Sequence, residues 1–116
     1  MAEYTKEMSE CIMDCRECAQ SCMETMVHCL EMGEDHAEVS HISLLNDCAV
    51  VCDASAALMT SVSLAYTDQC EVCEGVCILC AESCEAFEDD EMMQDCAEVC
   101  RRCAESCKEM ALDEEE

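Results

Sequence analysis

The sequence contains no proline, no tryptophan and only two glycines among 116 residues, and its aromatic side chains are limited to Tyr4, Tyr66 and Phe87. With so few turn formers, a β-sandwich or a loop-rich scaffold is excluded. Basic residues are scarce as well: five Lys and Arg stand against 29 Asp and Glu, for a formal net charge of −24. Ordinary binding to nucleic acid needs Lys and Arg to displace counterions, so it is excluded too. No uninterrupted apolar run of about 18 residues occurs, so nothing is expected to span a membrane. The first residues, MAEYTKEMSECIMDC, hold no twin arginine, basic start or apolar stretch of the exporting kind. A cytoplasmic location is therefore expected, where thiols stay reduced and dense cysteine points to metal rather than to disulfides. The acidity reads either as a solvated surface of the salt-adapted kind or as a general attraction for cations. The length, 1–116, suits one domain.

What the sequence has in abundance is sulfur, with 16 Cys and 10 Met. The cysteines fall in four groups: Cys11, Cys15, Cys18, Cys22 and Cys29; Cys48 and Cys52; Cys70, Cys73, Cys77, Cys80 and Cys84; and Cys96, Cys100, Cys103 and Cys107. Within groups the gaps are 3, 4 or 7, the spacing of residues that face a bundle interior. Seven pairs have the form Cys-x-x-x-Cys. Met8, Thr25, Met32, His41, Leu45, Ser55, Met59, Val62, Tyr66, Phe87, Met93 and Met110 continue the stripes. Met32-Gly33 reads as a helix stop, and Asp35 with Glu38 as a capping box. Thr67 or Asp68 with Glu71 reads the same way, and the acids Glu88 to Glu91 suit the positive end of a fourth helix. Helices are predicted at about 3–32, 36–65, 69–87 and 91–112. Connections this short make neighbours antiparallel, so the predicted fold is all-α, an up-down-up-down four-helix bundle.

A run of the form Cys-x-x-Cys-Ala-x-Ser-Cys occurs three times, at Cys15–Cys22, Cys77–Cys84 and Cys100–Cys107. Its small Ala and Ser residues would let backbones approach closely. A lone buried Cys is usually a small hydrophobe. Sixteen on four inward faces are not explained that way, because a core of Cys and Ala buries far less apolar area than one of Leu, at about 25 cal/mol per Å². Partners on one helix face also lack disulfide geometry, although bridges between helices remain open under oxidising conditions.

Charge selects among the soft-metal candidates, which are Cu(I), Zn(II) and iron–sulfur clusters. Zinc takes four thiolates per ion, so each filled site carries two negative charges into the core. Clusters are similarly negative and need more room. One Cu(I) per thiolate sums to zero, and burying charge is the expensive term. Cysteines at i and i+4 have Cβ atoms about 5–6 Å apart, near enough for two sulfurs to flank one ion.

The threefold repeat together with the seven Cys-x-x-x-Cys pairs resembles the bacterial copper storage protein family over essentially the whole chain, and the cytosolic branch in particular. The resemblance implies a four-helix bundle whose cysteines hold many Cu(I) ions, high-capacity storage and sequestration without catalysis, and frequent tetramers. The acidity and the sparse cysteines of helix 2 depart from the family pattern.

One end of the predicted bundle gathers His28, Met32, His36, His41, Met92 and Met93, with Phe87. These residues are candidates to pass Cu(I) inward to Cys29, Cys84 and Cys96, with His41 the strongest because it lies on the core stripe. The opposite end, with Tyr4, Met8, Met59, Val62, Tyr66 and Met110, reads as closed. Between Ser40 and Tyr66 the only formally charged residues are Asp47 and Asp53. A helix apolar all round is normally buried all round, so a homo-oligomer packed through helix 2 is expected. Three other functions compete. A di-iron enzyme needs two Glu-x-x-His motifs, and only Glu38–His41 occurs. An iron–sulfur or redox electron carrier would be coloured. A zinc–thiolate buffer would saturate near four ions.

Overall fold

The structure is a computed structural model and describes residues 3–112. Helix α1 spans Lys6–Met32, a single 3-10 turn spans Glu34–Ala37, and α2, α3 and α4 span Val39–Thr60, Tyr66–Glu85 and Glu91–Leu112. No strand occurs among the described residues. Local chemistry explains most of the helix ends. Thr5 caps α1 by accepting the Met8 N–H at 3.1 Å. Gly33 stops it with φ 72°, its own N–H donating to the Cys29 carbonyl at 3.0 Å. Asp90 caps α4 by accepting the Met93 N–H on Oδ1 at 3.1 Å, which puts a carboxylate at the positive end of that helix as expected.

Two helix starts differ from the sequence reading. The Asp35/Glu38 capping box does not form, because the chain leaves Gly33 in a 3-10 turn that uses up Asp35 and His36. Glu38 then holds the cap position of α2 with no side-chain bond. The break between α2 and α3 comes earlier than 65–69. Val62 takes φ 50° and ends α2, with Val62 N–H donating to Met59 and Ser63 N–H to Leu58 at 3.0 and 2.9 Å. A β-branched residue in that region costs roughly 1–3 kcal/mol, and Val62 offsets part of it by packing on the core. Helix α3 thus opens at Ala65 with no side-chain cap, and Tyr66 belongs to α3, not to the stripe of α2.

Helix α1 packs against α2 and α4, and α3 packs against α2 and α4, so the four close into a square rod of 50 × 19 × 19 Å. The interior is made of the predicted stripes: every cysteine is buried, filled in with Ala19, Ala49, Ala56, Ala81, Ala97 and Ala104. The small residues of the repeat allow this narrow section. Met8, Met59 and Met110 are buried where the N-terminus of α1 meets the C-termini of α2 and α4, and they plug that end. Tyr4, expected beside them, is exposed instead.

By length and composition alone α2 is long and apolar enough to cross a membrane, although no unbroken apolar run signals it. In the bundle its His41, Leu45, Cys48, Cys52, Ser55 and Met59 are turned into the core. Its other faces leave Val39 and Val50 exposed, and the following turn leaves Leu64 98% exposed.

Replacing Thr5 with Ala removes the α1 cap and is expected to lower stability by about 1 kcal/mol. Urea unfolding measures this. An unchanged midpoint would show that the first turn of α1 holds without the Thr5 hydroxyl.

Candidate metal centre

The sulfurs form one continuous column. Contacts of 3.6–4.0 Å link Cys11 and Cys15 to Cys107, Cys15 to Cys103, Cys18 to Cys48 and Cys100, and Cys22 to Cys80 and Cys100. Cys52 touches Cys73, Cys77 and Cys103, each at 3.7 Å, and Cys48 touches Cys77 at the same distance. All 16 thiols are free. Along one helix Cys73 and Cys77 are 3.9 Å apart, and Cys18 with Cys22, Cys48 with Cys52 and Cys103 with Cys107 lie within 4.8 Å, near enough to flank one ion as expected. The other contacts of 3.6–4.0 Å cross between helices. The core is narrow enough that a sulfur on a facing helix is nearer than one a turn away on the same helix.

Four sets of four sulfurs lie within 4.8 Å of one another: Cys15, Cys73, Cys103 and Cys107; Cys18, Cys22, Cys48 and Cys100; Cys18, Cys48, Cys52 and Cys77; and Cys52, Cys73, Cys77 and Cys103. These sets share Cys18, Cys48, Cys52, Cys73, Cys77 and Cys103. Separate single-ion zinc sites each take four thiolates, and overlapping sets cannot all be filled in that separate form. Bridging thiolates shared by monovalent soft ions can fill them. The Ser55 hydroxyl, on the α2 stripe below Cys52, is buried without a hydrogen-bond partner.

Removal of water sets the proton chemistry of the column. Burial pushes the Cys29 thiol up to about 11, with the negative charge of Asp90 adding to it. At Cys70, hydrogen bonding with Cys107 works downward, but Cys11 and burial prevail and push it up to about 12. Cys22 and Cys52 are raised by hydrogen bonds with Cys100 and Cys103 respectively, and by burial. Cys18 and Cys73 are lowered, chiefly by hydrogen bonding with Cys100 and Cys103 respectively and with other thiols around them. Burial by itself favours the neutral thiol at each of these positions, and a cation that enters must expel the protons the thiols hold.

The end of the column opposite the methionine plug holds the residues expected to form the mouth. There Cys29 Sγ lies 3.4 Å from His41 Nε2 and 3.4 Å from Met93 Sδ, a mixed set of imidazole, thioether and thiol donors. His41 Nδ1 meets Ser83 Oγ at 2.7 Å. With the proton on Nδ1 donated to Ser83, Nε2 keeps its lone pair toward the sulfurs. Burial lowers the His41 pKa, which keeps the ring neutral and able to act as a ligand. Phe87 lies over His41 with ring centres 5.1 Å apart. Outside it, a cavity of about 500 Å³ is lined by His28, Met32, His36, Phe87, Asp89, Asp90, Glu91 and Met92.

The structure thus brings the predicted mouth residues together but divides them. His41 and Met93 reach the core, Met32 and Met92 line the cavity, and His28 and His36 both turn to Asp90 at 2.7 and 2.9 Å. Burial works to raise the Asp90 carboxyl, but the bonds from His28, the Met93 N–H and His36 hold it down at about 2. Sequence reasoning missed Asp90 and Ser83 as partners of the histidines. Asp90 carries a signal as an acid three residues before Met93 in a cap position. Ser83 carries one as the Ser of the repeat, whose counterpart Ser106 likewise reaches across to Asp14. These serines act as cross-helix hydrogen-bond partners, Ser83 accepting and Ser106 donating, as well as small spacers.

Residues 4–112 match the family described as copper storage protein. The chain belongs to that family. Three solved structures show how close the likeness is. A protein of Nitrosospira multiformis is 37% identical with a TM-score of 0.85, covering 91% of this chain and 95% of its own. A copper storage protein solved with Cu(I) bound is 30% identical at TM-score 0.84, covering 91% and 99%. A cytosolic copper storage protein from Streptomyces lividans, loaded with five coppers, is 29% identical at TM-score 0.77, covering 91% and 92%. No curated protein matches the chain. Membership in the copper storage family agrees with the shared, overlapping sulfur sets.

The His41 ring is expected to titrate below the ordinary 6.5, and its protonation to favour unfolding. Stability from this residue is therefore fully present above pH 6.5 and lost as the solution is acidified from there through the ring's own lower midpoint. Ring proton NMR against pH measures the midpoint, and a value at or above 6.5 would overturn the assignment of a desolvated, neutral imidazole.

Proposed function

We propose that this protein is a high-capacity store for Cu(I), with Cys11, Cys15, Cys18, Cys22, Cys29, Cys48, Cys52, Cys70, Cys73, Cys77, Cys80, Cys84, Cys96, Cys100, Cys103 and Cys107 as its ligands. The observation that carries this reading is the buried column in which each sulfur set shares members with the next. Filling it with one monovalent ion per thiolate leaves the core neutral, whereas separate zinc sites would bury negative charge in a molecule already at −24. Membership in the copper storage family supports the same choice, as does the Cu(I)-bound relative. We read it as a storage protein and not as an enzyme. Its likeness to the cytosolic Streptomyces lividans protein supports a cytosolic location.

Copper is admitted at the mouth. Met32 and Met92 offer thioethers at the cavity, and the set of His41, Met93 and Cys29 receives the ion behind Phe87 and hands it to Cys84 and Cys96. Each ion that settles on a thiolate releases a proton, so apparent affinity falls as pH falls, by about tenfold per pH unit for each proton released per ion.

The exposed apolar residues of α2 support a further element. Val39, Val50 and the neighbouring Leu64 stand in water on a helix whose charged residues are Asp47 and Asp53 alone. A second copy of the chain, packing α2 on α2, would cover them.

Anaerobic titration of the reduced protein with Cu(I) against a competing chelator is expected to end near sixteen ions per chain, with weaker retention at lower pH. An end point near four, or no dependence on pH, would favour discrete tetrahedral sites and overturn this reading. Light scattering of the reduced protein is expected to give a multiple of 12.9 kDa. A monomer mass at micromolar concentration would remove the α2 interface.

A further inference from the structure

At the outer rim of the mouth three side chains without sulfur converge from three separate elements. His28 comes from the last turns of α1, His36 from the 3-10 turn, and Asp90 from the cap of α4. Both Nε2 atoms point at the same carboxylate oxygen, Asp90 Oδ2, at 2.7 and 2.9 Å. The three donor atoms all lie within 4.8 Å of one another. All three side chains are partly shielded, at 26%, 18% and 13% exposure, and they border the open cavity. The orientation of Asp90 is fixed independently, since its other oxygen holds the Met93 N–H.

The donor set differs in kind from the core. Two imidazoles and one carboxylate are borderline-to-hard ligands, suited to zinc and other divalent first-row ions, whereas Cu(I) is drawn to sulfur. Three protein ligands with space beside them also match an open zinc coordination shell, completed by water. Without metal, each ring donates Nε2–H to Oδ2. With metal, each ring moves its proton to Nδ1 and presents the Nε2 lone pair, so the net proton count is unchanged. The acids Glu34, Asp35, Glu88, Asp89 and Glu91 flank the three ligands in sequence and bias the local field toward cations.

We propose that His28, His36 and Asp90 form a second metal site, separate from the thiol core, that takes one divalent ion of the zinc type. Occupancy ties α1, the 3-10 turn and α4 together. It also fixes His36 against Phe87, whose ring centre is 4.4 Å from that of His36 and which in turn covers His41. A filled rim site therefore holds the mouth shut over the copper route. This closing role rests on the storage reading above, while the site itself does not.

The test uses protein labelled with ¹⁵N in its three histidines, saturated with Cu(I) and titrated with Zn(II). The ring signals of His28 and His36 are expected to shift together and saturate at one Zn(II) per chain while His41 stays unmoved. The variants His36→Ala and Asp90→Asn should bind Zn(II) at least tenfold more weakly with copper capacity unchanged. Zn(II) is further expected to slow removal of copper by an external chelator in the wild type and not in His36→Ala. Absence of the paired ring shifts, or equal Zn(II) affinity in the variants, overturns the site. Paired shifts without slower copper removal overturn the closing role alone. The ring signals name the ligands whether or not copper fills the thiols, and bound copper is measured separately. Failure of storage and failure of the rim site are thus read apart.

Discussion

The whole molecule depends on a core that must be dry in two states of opposite chemistry. Before loading, the column has to pack without metal, and removal of water favours the neutral thiol there, as at Cys29. After loading, the same space has to hold cations without net charge, which monovalent ions on an equal number of thiolates provide. Helical scaffolding lets one backbone serve both states, because helix hydrogen bonds are satisfied within each rod and none depends on the core contents. The bundle therefore folds around its cargo space instead of being folded by the cargo.

Small side chains carry a cost in stability that larger ones would not. Cysteine and alanine bury little apolar area per residue, and the larger apolar groups in the core are few: Met8, Ile12, Leu45, Met59, Met93 and Met110. Satisfied helix ends, at Thr5, Gly33 and Asp90, matter more in such a molecule than in one with a leucine core. So would the association through the uncovered side of α2 that is proposed above.

How much of this was legible in the sequence differs from feature to feature, for physical reasons. The four inward faces were plain, because gaps of three and four between cysteines admit only helices and the repeat marks three of them. Their ends were less so. Val62 turns the chain with no glycine to signal it, and the acids near 35 sit in a turn that a one-residue shift of the stop at Gly33 would have made a helix start. Neighbouring cysteines along one helix were legible as pairs, but the closer contacts across helices were not. Which sulfur meets which is settled by the rotation and separation of facing helices, quantities a single strand of sequence does not encode. The convergence of His28 and His36 on Asp90 joins residues 62 and 54 positions apart, and only the closure of α4 beside α1 brings them together.

The plug of Met8, Met59 and Met110 makes the column a blind tube. With entry past His41, as proposed above, an ion lodged beside the plug can leave only by retracing the length of the column. A cell drawing on such a vessel would find a quickly available fraction and a slow one, set apart by depth within one uniform chemistry and not by different ligands.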